Sequence, residues 1–205
     1  MPPERSGMLN RYNFTLPSGA AAPYPHPYQE RVSKAVTEAW VWLEREGLLA
    51  PRPGDQHGWV FVTRRGKEVA GRTGLELYRR GNLLPKEQLH PSIATKAWSA
   101  FLRGDYDTAV FQAFKEVEVA VRTKGSFAPT DIGTDLMRKA FAVNTGPLSD
   151  MTALRAERQA LGDLFAGAIG SYKNPSSHRH VPIDAPEAVE MIVLASHLLR
   201  IVDSR

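Results

Sequence analysis

Hydrophobic residues recur at steps of three and four along most of the chain, which is the spacing of helices that bury one face. The first such stretch begins at Tyr28 and carries Val32, Val36, Ala39, Trp40 and Leu43. Gly47 follows it, and glycine most readily adopts the left-handed conformation that closes a helix. The pattern predicts a helix from residue 28 to the neighbourhood of Gly47.

The segment after Gly47 has a different pattern. Trp59–Thr63 is a short run of β-branched and aromatic residues between turns rich in proline and glycine, which is typical of a strand beside a flexible loop. A helical stretch through Glu76–Arg80 then ends at Gly81. Residues 28–82 therefore predict a small α+β module. Residues 1–27 are rich in Pro, Gly and Ala without a period, and predict an irregular N-terminal arm.

From Leu83 onward the pattern is almost entirely helical. Amphipathic stretches separated by short links lie at residues 93–101, 110–121, 132–143, 154–172 and 188–202. Residues 83–205 therefore predict a helical bundle. The expected fold class is mainly α, with a bundle of about five helices preceded by the small α+β module. Small residues in the fourth helix predict a face that another backbone approaches closely: Gly162, Gly167, Ala168 and Gly170.

Composition narrows the class of protein. The 205 residues are 42% hydrophobic and 23% charged, which is ordinary for a soluble globular protein. With no run near the roughly 18 apolar residues of a membrane span, and no apolar signal core at the start, we expect a cytoplasmic protein without a membrane segment. Cysteine is absent, so disulfides and thiolate metal ligands are excluded. Because no carboxylate cluster accompanies the histidines, we predict no metal site and no cofactor.

The net charge of +4 is unevenly distributed. Residues 28–90 hold eleven basic and eight acidic residues, a surplus of three, whereas residues 91–205 hold thirteen of each. Most of the surplus lies in residues 52–80, with seven basic and three acidic residues. A basic stripe of this kind can guide a protein onto nucleic acid, and an ordinary solvated face is the alternative interpretation.

The phrase "WLEREGLL … WVFVTRRGKEVA" resembles the end of a winged helix-turn-helix: a helix, then "GLL", a wing strand and "T-x-x-G". The resemblance covers about fifty residues, and one convincing helix precedes the strand where a full winged helix has three. It implies contacts to nucleic acid through Arg64, Arg65 and Lys67. A packing or dimerisation unit is the alternative that such a partial module leaves open.

The stretch "YKNPSSHRH", from Tyr172 to His180, combines helix-ending residues with groups that can contact phosphate. Pro175 disfavours helical geometry at Asn174, so a helix end or kink is predicted there. Lys173 would then lie in the last turn and His178 just beyond the break, where an exposed loop can bring the two side chains together. Lysine near a helix end and Asn-Pro-Ser-Ser are also ordinary helix-ending chemistry.

The second part of the chain resembles the Hypoth_Ymh family, whose members share "HP", "G-x-Y-x-x-A-V-x-x-A", "G-x-x-L-M-x-x-A-F", "F-x-G-A" and "R-N-P-x-x-H". The matching positions keep their order over about 115 residues: His90-Pro91, Gly104, Tyr106, Ala109-Val110, Ala113, Gly133, Leu136-Met137, Ala140-Phe141, Phe165, Gly167-Ala168, Asn174-Pro175 and His178. The family in turn is similar to the HEPN superfamily of helical dimers, many of which are metal-independent ribonucleases of bacterial and archaeal defence and toxin–antitoxin systems.

This resemblance implies roles for individual residues. His178 would be the catalytic general acid or base, Asn174 the polar residue that orients the phosphate, and Lys173 the cation in the position of the family's arginine. Lysine keeps the charge but lacks the planar fork that holds two phosphate oxygens, and Arg179 is the neighbouring cation that could compensate. The implied partners are RNA, a second copy of the chain, and an antitoxin or defence-system protein. A non-catalytic binding or dimerisation subunit is the alternative function.

Glu118 and Arg122 lie four residues apart on one predicted helix. This spacing predicts an ion pair on the helix surface, of small energetic worth. HEPN proteins often have a polar residue on an early helix that faces the motif, and the resemblance implies Glu118 for that position. Both interpretations of Glu118 are open at this point.

Overall fold

The computed structural model describes residues 9–16, 18–174 and 182–205. These residues are mainly helical with a small antiparallel sheet, which confirms the predicted fold class. The chain divides into two compact units between Glu76 and Leu77. No helix within the described ranges is long and apolar enough to cross a membrane.

The first unit contains the small sheet and most of the short elements. In chain order these are β1 (Leu9–Asn10), α1 (Arg11–Thr15), α2 (His26–Arg45), β2 (Leu49–Pro51), β3 (Trp59–Val62) and α3 (Arg64–Val69), and the division falls within α4 (Arg72–Leu83). The predicted helix and strand are both present. Gly47 has a φ of 68° directly after the end of α2, as the helix-closing role requires.

The sheet of the first unit has the order β1–β3–β2, and both pairs of strands are antiparallel. Val60 and Val62 point to one face of the sheet and pack with Trp40 of α2 and with Leu49. This small core explains why the helix and the hairpin form one unit: each covers the apolar face of the other.

Part of the predicted irregular arm is regular in the structure. Leu9 and Asn10 pair with β3, and Asn10 also accepts a hydrogen bond from the N–H of Asn13 at the start of α1. Period-based reasoning missed these elements because a two-residue strand and a five-residue helix are too short to show a period. The prediction of an irregular arm is therefore wrong for residues 9–15.

The described residues of the second unit form helices joined by turns and loops. After a short 3₁₀ turn (Lys86–Gln88) come α5 (Lys96–Arg103), α6 (Tyr106–Lys124), α7 (Gly133–Ala140), α8 (Arg155–Ala168), a π-helical turn (Ile169–Lys173) and α9 (Ala185–Asp203). These correspond to the five predicted amphipathic stretches. The sequence pattern predicts that this helix ends at Gly81, but α4 continues to Leu83.

The core of the second unit surrounds α6, one face of which is completely buried. Val110, Phe114, Val117 and Val121 of α6 have no exposed surface, and they pack with α5, α7, α8 and α9 in one cluster. His90 links the start of this unit to α9, because its backbone N–H donates to Ser196 Oγ at 2.8 Å and its Nε2 lies 2.7 Å from an Asp203 carboxylate oxygen.

The small residues of α8 have different surroundings. A Cβ added at Gly162 would lie 3.1 Å from the carbonyl oxygen of Phe141, and one at Gly170 would lie 3.2 Å from Thr134 Cγ2. At Gly167, by contrast, an added Cβ would meet no atom of the described residues within 4 Å. The predicted close approach to another backbone therefore occurs at Gly162 but not at Gly167.

We expect Gly162→Leu to lower the melting temperature of the protein, because a side chain there must displace the backbone of Phe141 and overpacking costs about 1–3 kcal/mol. Gly167→Leu is the matched control on the same helix. It should be neutral or slightly stabilising, since leucine favours a helix over glycine by about 0.5–1 kcal/mol. Thermal unfolding followed by circular dichroism measures both variants, and equal melting temperatures would contradict the close packing of α8 on α7.

Candidate functional site: a buried carboxylate at the end of the π turn

Lys173 is the last residue of a π turn, and Asn174, which follows it, has helical backbone angles of φ −63° and ψ −44°. The predicted departure from helical geometry at Asn174 is therefore wrong, and a kink beyond it would fall outside the described residues. The π turn Ile169–Lys173 follows α8 directly, and the N–H of Asn174 donates to the carbonyl of Ile169, five residues earlier, at 3.1 Å. His178 and Arg179 fall outside the described residues, so their predicted positions beside Lys173 stay predictions.

Glu118 forms the centre of a buried polar cluster. Its side chain is 6% exposed, and its Oε2 lies 3.3 Å from the ammonium nitrogen of Lys173. The same Oε2 accepts a hydrogen bond of 2.8 Å from the backbone N–H of Gly133, and Oε1 accepts one of 2.7 Å from Arg122 Nη2. One carboxylate thus joins α6, the start of α7 and the π turn.

Arg122 extends this cluster towards the loop that connects α6 and α7. Its Nε donates to the carbonyl of Asp131 at 2.8 Å, and the Asp131 carboxylate is paired with the ammonium of Lys139 and accepts from the N–H of Ala128. Arg122 and Lys173 are both largely buried, with 19% and 17% of their side chains exposed. The loop and the π turn are therefore fastened to the same helix through charged groups.

The charges around Glu118 decide its protonation state. Burial alone would raise the pKa of this carboxyl, but the N–H of Gly133, the charge of Lys173 and the hydrogen bond from Arg122 together hold the pKa below its ordinary value. Glu118 is therefore an anion at neutral pH, and it lies between two cations. The three side chains carry a net charge of +1, which favours an anion nearby.

The prediction of a surface ion pair between Glu118 and Arg122 is wrong about its location. The two side chains do pair, but Glu118 is buried and also contacts the motif that contains Lys173. The interpretation in which Glu118 faces the motif agrees with this geometry.

Sequence reasoning also missed the role of Gly133. Its φ of 65° is in the region that favours glycine, and its N–H points at Glu118. Gly133 is one of the positions that carry the resemblance to Hypoth_Ymh. In the sequence, the one sign of its role was a glycine at the start of a predicted helix.

The predicted nucleic-acid contacts of the first unit occupy α3. Arg64, Arg65 and Lys67 are exposed, while Gly66 between them is buried and its N–H donates to the Thr63 hydroxyl that caps the helix. The structure therefore presents the three cations to solvent within the first turn of α3.

The described histidines do not form a metal site. No group of three or more His, Asp or Glu side chains within the described ranges is arranged to hold an ion. His90 is buried and bonded as above. His197 is exposed on α9.

The candidate site thus lies in a helical unit and consists of a buried carboxylate paired with two cations. The model of the family described as "Protein of unknown function (Hypoth_ymh)" matches residues 87–202, more than half of the chain. The chain therefore belongs to the Hypoth_ymh family, which confirms the resemblance given by the motifs. No curated protein and no solved structure matches the chain.

We expect Glu118→Gln to destabilise the protein at neutral pH. The glutamine keeps an acceptor for Gly133 but leaves the charges of Lys173 and Arg122 buried without a counter-charge, a change that costs about 3 kcal/mol. Because the folded-state pKa of Glu118 is lowered, wild type loses this stabilisation as the pH falls below about 4.5, the ordinary value of the carboxyl. The difference between wild type and the variant should therefore shrink in acid.

Urea unfolding at a series of pH values measures this difference. Glu116→Gln, the same substitution two residues earlier on α6, is the control and should have a small effect at every pH. A stability difference for Glu118→Gln that stays constant down to the acid transition would rule out an ionised Glu118 as its source.

Proposed function

We propose that the protein is a metal-independent, HEPN-like ribonuclease that uses Lys173, Asn174 and His178. The observation that carries the proposal is the position of Lys173, whose ammonium is held by a buried carboxylate in the last turn before the motif continues to Asn174 and His178. A lysine that serves only to end a helix needs no buried partner, because its charge can stay in water.

The proposed reaction cleaves RNA without a metal. The ribose 2′-oxygen forms a bond to the adjacent phosphorus while the bond from phosphorus to the 5′-oxygen of the next nucleotide breaks. One proton leaves the 2′-hydroxyl and one is delivered to the 5′-oxygen, and the products are a 2′,3′-cyclic phosphate and a 5′-hydroxyl. His178 would move these protons, because imidazole is the side chain that ordinarily gains and loses a proton near neutral pH.

Lys173 and Asn174 would stabilise the charge that accumulates on the phosphoryl oxygens. An ammonium has three N–H donors, and the contact with Glu118 restricts where the remaining donors point. Glu118 thus acts as a positioning residue for Lys173, with Arg122 and the N–H of Gly133 holding Glu118 in turn. Arg179 is the second cation proposed for the phosphate.

The setting of this activity follows from the same resemblance. We propose a cytoplasmic homodimer in which two copies of the motif face one cleft, acting on RNA in antiviral defence or in a toxin–antitoxin system with a restraining partner.

A second function has support from a separate observation. Arg64, Arg65 and Lys67 are exposed on a short helix that carries no acidic residue in its first turn. Positive charge near the N-terminus of a helix destabilises that helix. A function other than stabilising the fold would therefore explain why the cations are there. The alternative proposal is a non-catalytic subunit that binds duplex nucleic acid through these cations.

We expect the purified full-length protein to cleave labelled single-stranded RNA in EDTA, leaving 2′,3′-cyclic phosphate ends. His178→Ala should abolish cleavage. Lys173→Ala should reduce it by about 100-fold or more, comparable to losing one group that stabilises an oxyanion. Gel analysis of the labelled products measures the rates.

Matched controls separate chemistry from damage to the fold. His197→Ala removes an exposed histidine from α9, and Lys115→Ala removes an exposed lysine from the same helix as Glu118; both should cleave at the wild-type rate. Cleavage that survives His178→Ala would overturn the ribonuclease proposal.

The alternative function has its own measurement. If the protein cleaves no RNA but binds duplex nucleic acid, binding should weaken in the double variant Arg64→Ala/Arg65→Ala and not in Arg31→Ala, which removes an exposed arginine from α2. The affinity should also fall steeply with salt. Binding that is indifferent to both variants would exclude α3 as the contact surface.

A further inference from the structure

The sheet of the first unit has a second face that the small core does not cover. Side chains of residues directly opposite each other in an antiparallel pair lie on the same face. The register pairs Ala50 with Phe61 and Asn10 with Trp59, whereas Val60 and Val62, which point the other way, are packed against α2. Trp59 and Phe61 therefore share the outward face, roughly 7 Å apart along the strand.

The outward face also carries a cation. The N–H of Arg52 donates to the carbonyl of Trp59 at 2.9 Å, which continues the register of β2 and β3 by one pair. Arg52 thus lies across from Trp59 and on the same face, and it is exposed. Asp55 is nearby in the hairpin loop, but one of its carboxylate oxygens accepts hydrogen bonds from the N–H groups of His57 and Trp59.

Phe61 is unusually open for a strand phenylalanine. It is 44% exposed, and its cross-strand neighbour Ala50 is too small to cover the ring. A further ring lies close to the start of β3, where Tyr12 is 67% exposed and packs over Gly58: a Cβ added at Gly58 would come within 2.8 Å of the ring. Two widely exposed aromatic rings thus flank Trp59, which is partly exposed.

We propose that this outward face, formed by Tyr12, Arg52, Trp59 and Phe61, binds single-stranded nucleic acid. Unpaired bases would stack on the aromatic rings, and Arg52 would contact the phosphate backbone. Base stacking on exposed aromatic side chains beside cations is how sheets bind single strands without strict sequence preference.

Charge decides which partner this face fits. Within the first unit, residues 52–76 begin at Arg52 and hold five basic and three acidic residues, a surplus of two. An apolar protein partner would gain nothing from this surplus, whereas a polyanion gains from every cation. A duplex keeps its bases stacked on each other, so the rings of Phe61 and Trp59 would remain unused. The proposal concerns binding alone and does not rest on RNA cleavage by the second unit.

Fluorescence anisotropy of the full-length protein tests this proposal with labelled 2′-O-methyl oligouridine, which lacks the 2′-hydroxyl and cannot be cleaved by the route above. Phe61→Ala should weaken binding roughly tenfold, the effect of losing one base–aromatic stack. Phe61→Trp, which keeps a ring, should bind like wild type. Arg52→Ala should lower the dependence of log affinity on log salt concentration by about 0.7.

Val41→Ala is the matched control, because Val41 is an apolar residue of α2 with 45% exposure in the same unit. It should bind like wild type, and circular dichroism checks that each variant is folded. Equal affinities of wild type and Phe61→Ala would overturn the proposal. Tighter binding to a duplex of the same length than to the single strand would also overturn it. Absence of binding to either nucleic acid would overturn it too, and would leave a protein as the partner of this face.

Discussion

The buried carboxylate of Glu118 is the constraint on which the arrangement of the second unit depends. Removing an ion from water costs several kcal/mol, which is recovered only when the ion is paired and its hydrogen-bonding positions are filled. Glu118 meets this condition with groups from three separate segments: Arg122 of its own helix, the N–H of Gly133 and the ammonium of Lys173. The left-handed backbone of Gly133 and the end of the π turn are therefore coupled, since a shift in either leaves the carboxylate short of a partner.

The same constraint changes what Lys173 can do in place of the arginine that the motif resemblance implies at this position. A guanidinium can bind a carboxylate and a phosphate on different edges of one plane, whereas an ammonium concentrates its charge on one nitrogen. In this chain that nitrogen is already 3.3 Å from Glu118. Lys173 consequently offers a phosphate only part of its charge, so a phosphate at this site would need Asn174, His178 or Arg179 as further donors.

Much of the fold was predictable because buried helices leave a period in the sequence, and glycines mark their ends at Gly47 and Gly104, both with positive φ. The π turn could not be predicted, because one wider turn inside a long apolar stripe barely disturbs the helical period. The burial of Glu118 could not be predicted either, because a glutamate and an arginine four residues apart occur on exposed and on buried helix faces alike. The proline that follows Asn174 predicted non-helical geometry there, but Asn174 keeps helical backbone angles. The partner of Lys173 could not be predicted, because 55 residues separate it from Glu118.

Charge is divided equally between the two units. Residues 1–76 contain ten basic and eight acidic residues and residues 77–205 contain sixteen and fourteen, so each unit has a net charge of +2. Neither unit by itself attracts a polyanion strongly at a distance, and exposed cations such as Arg52, Arg64 and Arg65 decide where it is attracted. If RNA is the substrate, exposed cations must therefore supply the long-range attraction and the buried cluster around Lys173 the chemistry. Raising the salt concentration would then weaken capture of RNA much more than the rate of cleavage once RNA is bound, because close buried charges are screened far less than exposed ones.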